Sequence, residues 1–437
     1  MNLIKGKLVS SKRERDMTLQ TLEESLLDTL KDNTLTTQMV CDACDTLSRE
    51  IGEHHLALLQ SVGIPKEKAT EYIREAKIIL KKEGLLERLK LELGAKYGNN
   101  RPFTPKGSHT EVEERILPLG TLLHITASNQ YGLAFYSVIE GLLTGNINLV
   151  KLPSEDDGLS AMIFLELFRI EPRLADYVYL FDYHSLETET IEKLMRLADA
   201  VVVWGSDEAV KAVRHLADPT TKIIEWGHKL SFAYITKDGL RENLLRGLAQ
   251  NIIETNQLLC SSCQGIFLDT DSMEDVFEFC KLFLPILEKC REEYNEKIPL
   301  EVAAQTGLRA YNESLQVNYY SCRVFQGQQS TLLAYEDSAL VLAIPYGNCW
   351  VKRLPREMML SVLRPHKNHL QTAGLLCGDE EVETLTAHLW NAGVSRVTRG
   401  ENMSQGYYGA AHDGEYPLRR YTRIASKELP QKQSLHK

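Results

Sequence analysis

A chain of 437 residues is longer than one ordinary core, so at least two domains are expected. With 43% hydrophobic and 25% charged residues the composition is that of a soluble globular protein, and a formal net charge of −10 without a basic block argues against a nucleic-acid binder. No stretch approaches the ~18 consecutive apolar residues of a membrane span, and nine scattered cysteines, an odd number, do not make a disulfide framework.

The amino terminus carries Lys5, Lys7, Lys12, Arg13 and Arg15 without a following apolar run, which argues against a secretory signal, and the scattered cysteines make a reducing cytoplasm the expected home. From residue 18 to 93 apolar positions recur at three and four spacings among charges. This helical entry has its clearest helices over 36–51 and 67–93, with Gly84 as a potential break in the second. Cys41 and Cys44 within it form a C-x-x-C pair, as do Cys260 and Cys263. The two pairs stand far outside the ~15–20-residue spacing of zinc ribbons, so no metal site is expected.

After a polar loop over 98–109, residues 121–125 read as a buried strand ending at Ser128-Asn129. An apolar helix over 133–143 and a strand over 147–151 follow, a βαβ unit that calls for a parallel sheet. Helices over 158–168 and 188–197 then alternate with strands over 177–181 and 200–204, as in a doubly wound sheet that binds ligands beyond the carboxyl ends of its strands. Asn129, Lys151 and Gly205-Ser206 all fall at such ends. No G-x-G-x-x-G is present.

The second half repeats α/β patterning. Strands are expected near 222–225, 232–235, 348–354, 372–376 and 394–397, with helices over 240–253 and 380–392. A long helix over 273–297 is expected to kink or break at Pro285. The tail from Lys427 reads as unstructured. In the middle, Glu254-Thr255-Asn256-Gln257-Leu258-Leu259-Cys260-Ser261-Ser262-Cys263-Gln264 runs into an apolar strand. A thiol placed there attacks a carbonyl carbon if it is kept ionised; the bland alternative is an inert buried thiol.

The order Ser128-Asn129, Gly145-Asn146, Val150-Lys151, Gly205-Ser206, Glu225-x-Gly-x-Lys229 and Cys260 resembles the aldehyde dehydrogenase superfamily. More narrowly, His124-Ile125-x-x-Ser128-Asn129, Gly141-Leu142-Leu143-x-Gly145-Asn146 and Asn256-Gln257-x-x-Cys260-Ser261-Ser262-x-Gln264 resemble the fatty acyl-CoA reductases of the LuxC family, as do 370–374 and His412-Asp413-Gly414. The fold class implied is α/β and aldehyde dehydrogenase-like. It comprises a helical entry and doubly wound NADP(H)-binding domain over 1–227, a catalytic α/β domain over 228–410, and a C-terminal segment over 411–437. A small oligomerisation strand near 110–117 would join part of the tail.

The resemblance also implies a reaction: a fatty acyl group passes from acyl-CoA or an acylated protein to Cys260 as a thioester, and NADPH reduces it to a fatty aldehyde. Asn129 and the Cys260 N–H would hold the oxyanion. Glu225 would manage protons, the alternative being a salt-bridged surface glutamate. Ser128, Lys151, Ser154, Gly205 and Ser206 would bind the cofactor. Ser154 stands where the superfamily often has a ribose-binding glutamate, which favours NADPH over NADH, although Glu155 and Asp156 are near. His228 replaces the superfamily's second glycine and is either a proton donor or a packing residue. Cys263 is a partner for a protective disulfide or a bystander. An acyl-protein synthetase partner and a homo-oligomer are further implications. A short-chain CoA-acylating aldehyde dehydrogenase and an idle scaffold for a synthetase are the competing readings.

Overall fold

The computed structural model describes residues 1–94, 97, 102–126, 132–153, 156–294, 298–315, 322–407 and 409–429. Two compact units divide the chain, Met1–Gly227 with Tyr407–Lys437, and His228–Gly406. The segment expected from residue 411 onward thus starts at Tyr407 and belongs to the first unit.

The first unit opens with a hairpin absent from the sequence expectations. Strands β1 (Asn2–Ile4) and β2 (Lys7–Val9) are joined by Lys5 and Gly6, both at positive φ. Helices α1 (Lys12–Asp32), α2 (Thr37–Glu50), α3 (Glu53–Ser61), α4 (Lys66–Ile79) and α5 (Lys82–Leu93) form the helical entry. The single helix expected over 67–93 is therefore two. Gly84 lies inside α5 and breaks nothing; the break is at Leu80-Lys81. There Leu80 is buried, and the Asp45 carboxylate of α2 accepts the Lys82 N–H at 3.1 Å, capping α5 from a distant part of the chain.

Strand β3 (Val112–Pro118) precedes the βαβ series: β4 (Thr121–Ile125), α6 (Leu133–Leu143), β5 (Ile147–Lys151), α7 (Leu159–Ile170), β6 (Val178–Phe181), α8 (Thr188–Leu197), β7 (Ala200–Trp204), α9 (Asp207–Leu216) and β8 (Lys222–Trp226). The sheet order is β2-β1-β6-β5-β4-β7-β8, parallel from β6 to β8 with β1 antiparallel at the β6 edge. From β4 the chain winds to β5 on one side, while β7 and β8 lie on the other. Strand order therefore reverses between β4 and β7, and the crevice at their carboxyl ends is where such sheets bind ligands.

The second unit contains β9 (Leu230–Ile235), α10 (Glu242–Thr255), β10 (Cys263–Leu268), α11 (Met273–Tyr294), α12 (Leu300–Leu315), β11 (Cys322–Gln326), β12 (Thr331–Tyr335), β13 (Asn348–Arg353), α13 (Met359–Leu363), β14 (Leu370–Leu376), α14 (Val382–Ala392) and β15 (Arg396–Arg399). Its sheet runs β11-β12-β13-β10-β9-β14-β15, parallel except for β11. Helix α12 and strands β11 and β12 were not anticipated. Helix α11 passes through Pro285 without a break. The proline faces solvent, while Phe279, Phe283, Leu287 and Cys290 on the opposite side are buried, and that packing holds the helix together across the missing hydrogen bond.

After α15 (Pro417–Arg420), strand β16 (Thr422–Glu428) pairs antiparallel with β3 along its whole length. The expectation of an unstructured tail from Lys427 is not met at its first residues. Lys427 and Glu428 are in β16, and the Leu429 N–H donates to the Glu111 carbonyl at 2.9 Å.

Candidate active site

In the second unit, α10 ends at Asn256, and both Asn256 and Gln257 take left-handed backbone angles, φ 47° and 60°. Two successive non-glycine residues in that region need external support. Asn256 accepts from buried Arg291 at 3.1 Å through Oδ1, and its carbonyl accepts the Tyr346 N–H at 3.1 Å. The Gln257 side chain is fully used: Nε2 donates to the carbonyls of Cys263 (2.8 Å) and Asn348 (2.9 Å), and Oε1 accepts the N–H groups of Gly347 (2.9 Å) and Asn348 (3.2 Å). Gln264 donates to the Gln257 carbonyl at 3.2 Å, and Ser262 and Leu259 exchange hydrogen bonds at 3.2 and 2.9 Å. The polar motif residues Asn256, Gln257, Ser262 and Gln264 are all buried. They build the loop.

Cys260 sits at the exposed part of this loop, and it is the only exposed one of the nine cysteines. Its carbonyl accepts from Ser231 Oγ of β9 at 2.7 Å, and Ser231 Oγ in turn accepts the Thr372 N–H of β14 at 3.0 Å. Thus 370–374, noted in the sequence, is the strand that braces the Cys260 loop through Ser231. Gly265 is also explained: a Cβ there would stand 2.0 Å from the Trp350 ring across the β10–β13 pair. Cys263, by contrast, is fully buried, its thiol is pushed up to about 12 by burial, and it donates to the Gly265 carbonyl at 3.2 Å. No disulfide joins it to Cys260.

In the first unit the register aligns Lys151, Ile125, Val203 and Glu225 in one row across β5, β4, β7 and β8. Side chains in such a row share a face, and three strand steps put Lys151 and Glu225 roughly 14 Å apart. Gly205 and Ser206 follow β7 at the reversal of strand order. Ser206 caps α9, accepting the Ala209 N–H at 3.4 Å, and a Cβ on Gly205 would approach the Ala209 Cβ to 3.0 Å. A bare backbone here is what close approach of a ligand needs. Glu225 is held by Arg214 of α9 in a two-point ion pair, with Nη2 2.9 Å from Oε2 and Nε on Oε1. Of its two sequence readings, the salt-bridged glutamate describes this arrangement. Ser128, Asn129 and Ser154 lie outside the described residues.

The remaining motif residues of the first unit form a buried network. Trp204 Nε1 donates to Ser137 Oγ (3.1 Å), Ser137 bonds His124 Nδ1 (2.7 Å), and His124 Nε2 meets Asn148 Oδ1 (3.0 Å). Asn148 donates onward to the carbonyls of Asn146 and Tyr177, so its Oδ1 is the acceptor and His124 is the Nε2–H tautomer. Burial depresses the His124 pKa to about 4. Gly141 leaves room for Asn148, since a Cβ would come within 1.9 Å of its Oδ1. His412-Asp413-Gly414 is a tight turn with positive φ at Asp413 and Gly414. It sets the His412 ring 5.3 Å from Trp204 and 4.9 Å from Trp226, beside the ends of β7 and β8. These two tryptophans stack at 5.4 Å with Arg420 over Trp226, an aromatic wall next to Gly205 that no sequence motif signalled.

Cys41 and Cys44 are buried in the core of the first unit, with Cys41 pushed up to about 11 by burial and by Asp42, which disfavours the thiolates zinc requires. One other cluster among the described residues has metal-like spacing, His54, His55 and Glu166. The Gly52 N–H donates to His55 Nδ1 at 3.2 Å, so Nε2 carries the proton of the neutral ring and lies 2.9 Å from a Glu166 carboxylate oxygen. A nitrogen so protonated has no lone pair for a metal. No helix of the described residues is long and apolar enough to cross a membrane.

The family described as Acyl-CoA reductase (LuxC) matches residues 33–424. The long-chain acyl-protein thioester reductase of Vibrio harveyi is 24% identical over 363 residues, covering 81% of this chain and 73% of the relative. The protein of the same name from Photorhabdus laumondii is 23% identical over 363 residues, covering 81% and 72%. Among solved structures, lactaldehyde dehydrogenase from Escherichia coli superposes with TM-score 0.71 at 14% identity, over 98% of both chains. A 3,6-anhydro-L-galactose dehydrogenase crystallised with an NAD(P) cofactor gives 0.72 at 13%, over 98% of this chain and 99% of that one. Both show an aldehyde dehydrogenase fold.

Proposed function

The chain belongs to the acyl-CoA reductase (LuxC) family, and from that premise we propose that it reduces a long-chain acyl thioester to the aldehyde through Cys260. The observation that carries this reading is the contrast within one motif. Its polar residues are buried and hydrogen-bonded, while its one thiol is exposed. A structural cysteine would be the reverse.

In the proposed sequence the Cys260 thiolate attacks the carbonyl carbon of the incoming acyl thioester, and the donor thiolate leaves. The acyl carbon, now bonded to Cys260 sulfur, accepts a hydride; the C–S bond then breaks, returning the thiolate and releasing the aldehyde. Asn129 and the Cys260 N–H are the proposed oxyanion donors, and removing one such donor typically costs on the order of 10²–10³ in rate. Glu225 is proposed to handle protons only after leaving Arg214. A reduced nicotinamide cofactor supplies the hydride when bound.

For the cofactor, Lys151, Gly205 and Ser206 are proposed to line the crevice at the reversal of strand order, with Ser128 and Ser154 on the adjoining loops. NADPH is favoured because Ser154 offers no carboxylate to repel a 2′-phosphate. Of the two nearby carboxylates, Asp156 is engaged, accepting from Ser160 N–H at 3.3 Å and Ser160 Oγ at 2.5 Å at the start of α7. Acyl-CoA or an acylated protein is the proposed donor, an acyl-protein synthetase the proposed partner, and a homo-oligomer in a reducing cytoplasm the proposed state.

Incubation with radiolabelled tetradecanoyl-CoA tests the reading. Label should bind the wild type, be absent from Cys260→Ala, and be chased into aldehyde by NADPH; equal labelling of both proteins overturns it.

A further inference from the structure

Two left-handed turns meet on one buried cation beneath the exposed thiol. The first is Asn256-Gln257, φ 47° and 60°, where α10 gives way to the Cys260 loop. The second is Tyr346-Gly347, φ 68° and 86°, just before β13. Of the seven non-glycine residues at positive φ among the described residues, three stand in this pair of turns. Strained backbone gathered beside a reactive group points to function, because it persists only where the surroundings over-determine it. The turns are also tied to each other. The Tyr346 N–H donates to the Asn256 carbonyl at 3.1 Å, and the Gly347 N–H donates to Gln257 Oε1 at 2.9 Å.

Arg291, in the last turn of α11, touches both turns and is only 1% exposed. Its Nη1 donates to Asn256 Oδ1 at 3.1 Å. On the side of the second turn, a Cβ on Gly347 would stand 3.0 Å from Arg291 Nη2 and 3.0 Å from Ser330 Oγ, so this turn packs directly against the guanidinium. Taking a full charge out of water is unfavourable, and an apolar side chain can fill the same space. Arginine supplies what a filler does not, a rigid planar fork that fixes direction as well as distance. Cys260 follows Asn256 by four positions. Relaxing Asn256 from φ 47° to the helical value near −63° would rotate the chain ahead of Cys260 through about 110°. The thiol would then leave its present place.

We propose that Arg291 is the positioning residue of the acyl-accepting thiol. It acts through Asn256 and holds the two turns in register, so that Cys260 presents its sulfur at one fixed place. The proposal rests on the thioester-reductase reading for what the thiol accepts. The guanidinium itself takes part in no bond-making step.

Arg291→Lys keeps the charge and removes the fork, while Asn256→Gly keeps the left-handed backbone accessible and removes the acceptor. Both, and the double variant, are studied at a temperature where circular dichroism shows each to be folded. Deuterium uptake by peptides covering 254–264 reads the loop without any substrate. Steady-state reduction of tetradecanoyl-CoA, with kcat separated from the KM for NADPH, reads the chemistry. Each single variant should exchange at least tenfold faster over 254–264 while β9 and β14 keep wild-type protection, and should lower kcat at least tenfold at an unchanged KM for NADPH. The double variant should lose no more than the more impaired single one, since both changes break the same contact. Variants in which neither readout changes, or in which only one does, overturn the positioning role and leave the reductase reading standing. Additive losses in the double variant overturn it as well. Faster exchange in the variants of a wild type that reduces no acyl-CoA supports the hold of Arg291 on the loop and removes the reductase reading.

Discussion

The side-chain amide of Gln257 grips both faces of one peptide unit pair at Asn348, donating to its carbonyl at 2.9 Å and accepting its N–H at 3.2 Å. Through this contact β13 fixes the left-handed turn from which Cys260 projects. Gln257→Leu leaves these buried groups and the Cys263 carbonyl without partners, each worth about 1–3 kcal/mol. Thermal or urea unfolding should show a loss on the order of 3–5 kcal/mol. Acylation of Cys260, measured where the variant is still folded, should slow more than tenfold; a native acylation rate would show that the turn does not position the thiol.

Thiol accessibility should separate the two cysteines of the motif. Cys260 is exposed, whereas the Cys263 thiol is buried and raised to about 12. Iodoacetamide on the native protein at pH 7.5 should modify Cys260 and leave Cys263 unmodified until denaturant is added. Peptide mass mapping reads this, and early labelling of Cys263 would reopen a redox pairing between them.

The ion pair of Glu225 with Arg214 involves an arginine that is 64% exposed. Such exposed pairs are worth only about 0.2–1 kcal/mol, so the carboxylate can be released during turnover at little cost. Arg214→Ala should change stability by less than about 1 kcal/mol. Glu225→Gln should leave single-turnover acylation of Cys260 intact and reduce steady-state aldehyde production less than tenfold, because thioester reduction needs no base to activate water. Complete loss of acylation in Glu225→Gln would instead make Glu225 the base for the thiol.

Acid should weaken the first unit through His124. Its pKa is about 4 in the folded chain against an ordinary value of 6.5. Between those values the unfolded chain binds the extra proton, so stability is fully present above pH 6.5 and falls as pH drops toward 4. The slope from this group approaches ~1.4 kcal/mol per pH unit, on the order of 3 kcal/mol in all. Melting curves at pH 7 and pH 5 should show the loss in the wild type and a smaller loss in His124→Gln; parallel losses would assign the acid sensitivity to other groups.

Much of this protein is written locally. The strands 121–125 and 147–151 and the helices 133–143 and 188–197 follow directly from apolar runs and their stops, and the structure places them at the same residues. The cysteine motif was legible too, because a specific string of polar residues around one thiol is a local property. The α4–α5 break was not, since its cap is Asp45 from another helix. Nor was the continuity of α11 through Pro285, which depends on buried side chains below it.

The sequence by itself determined the residue inventory, the α/β alternation and the cysteine motif, because each depends on neighbours within a few positions along the chain. Only the tertiary structure decided which motif residues are scaffold and which is left open. Asn256, Gln257, Ser262 and Gln264 spend their hydrogen bonds on Arg291, Asn348, Leu259 and one another. Partnership between residues tens of positions apart is set by strand order and register, and no local pattern of residues encodes it.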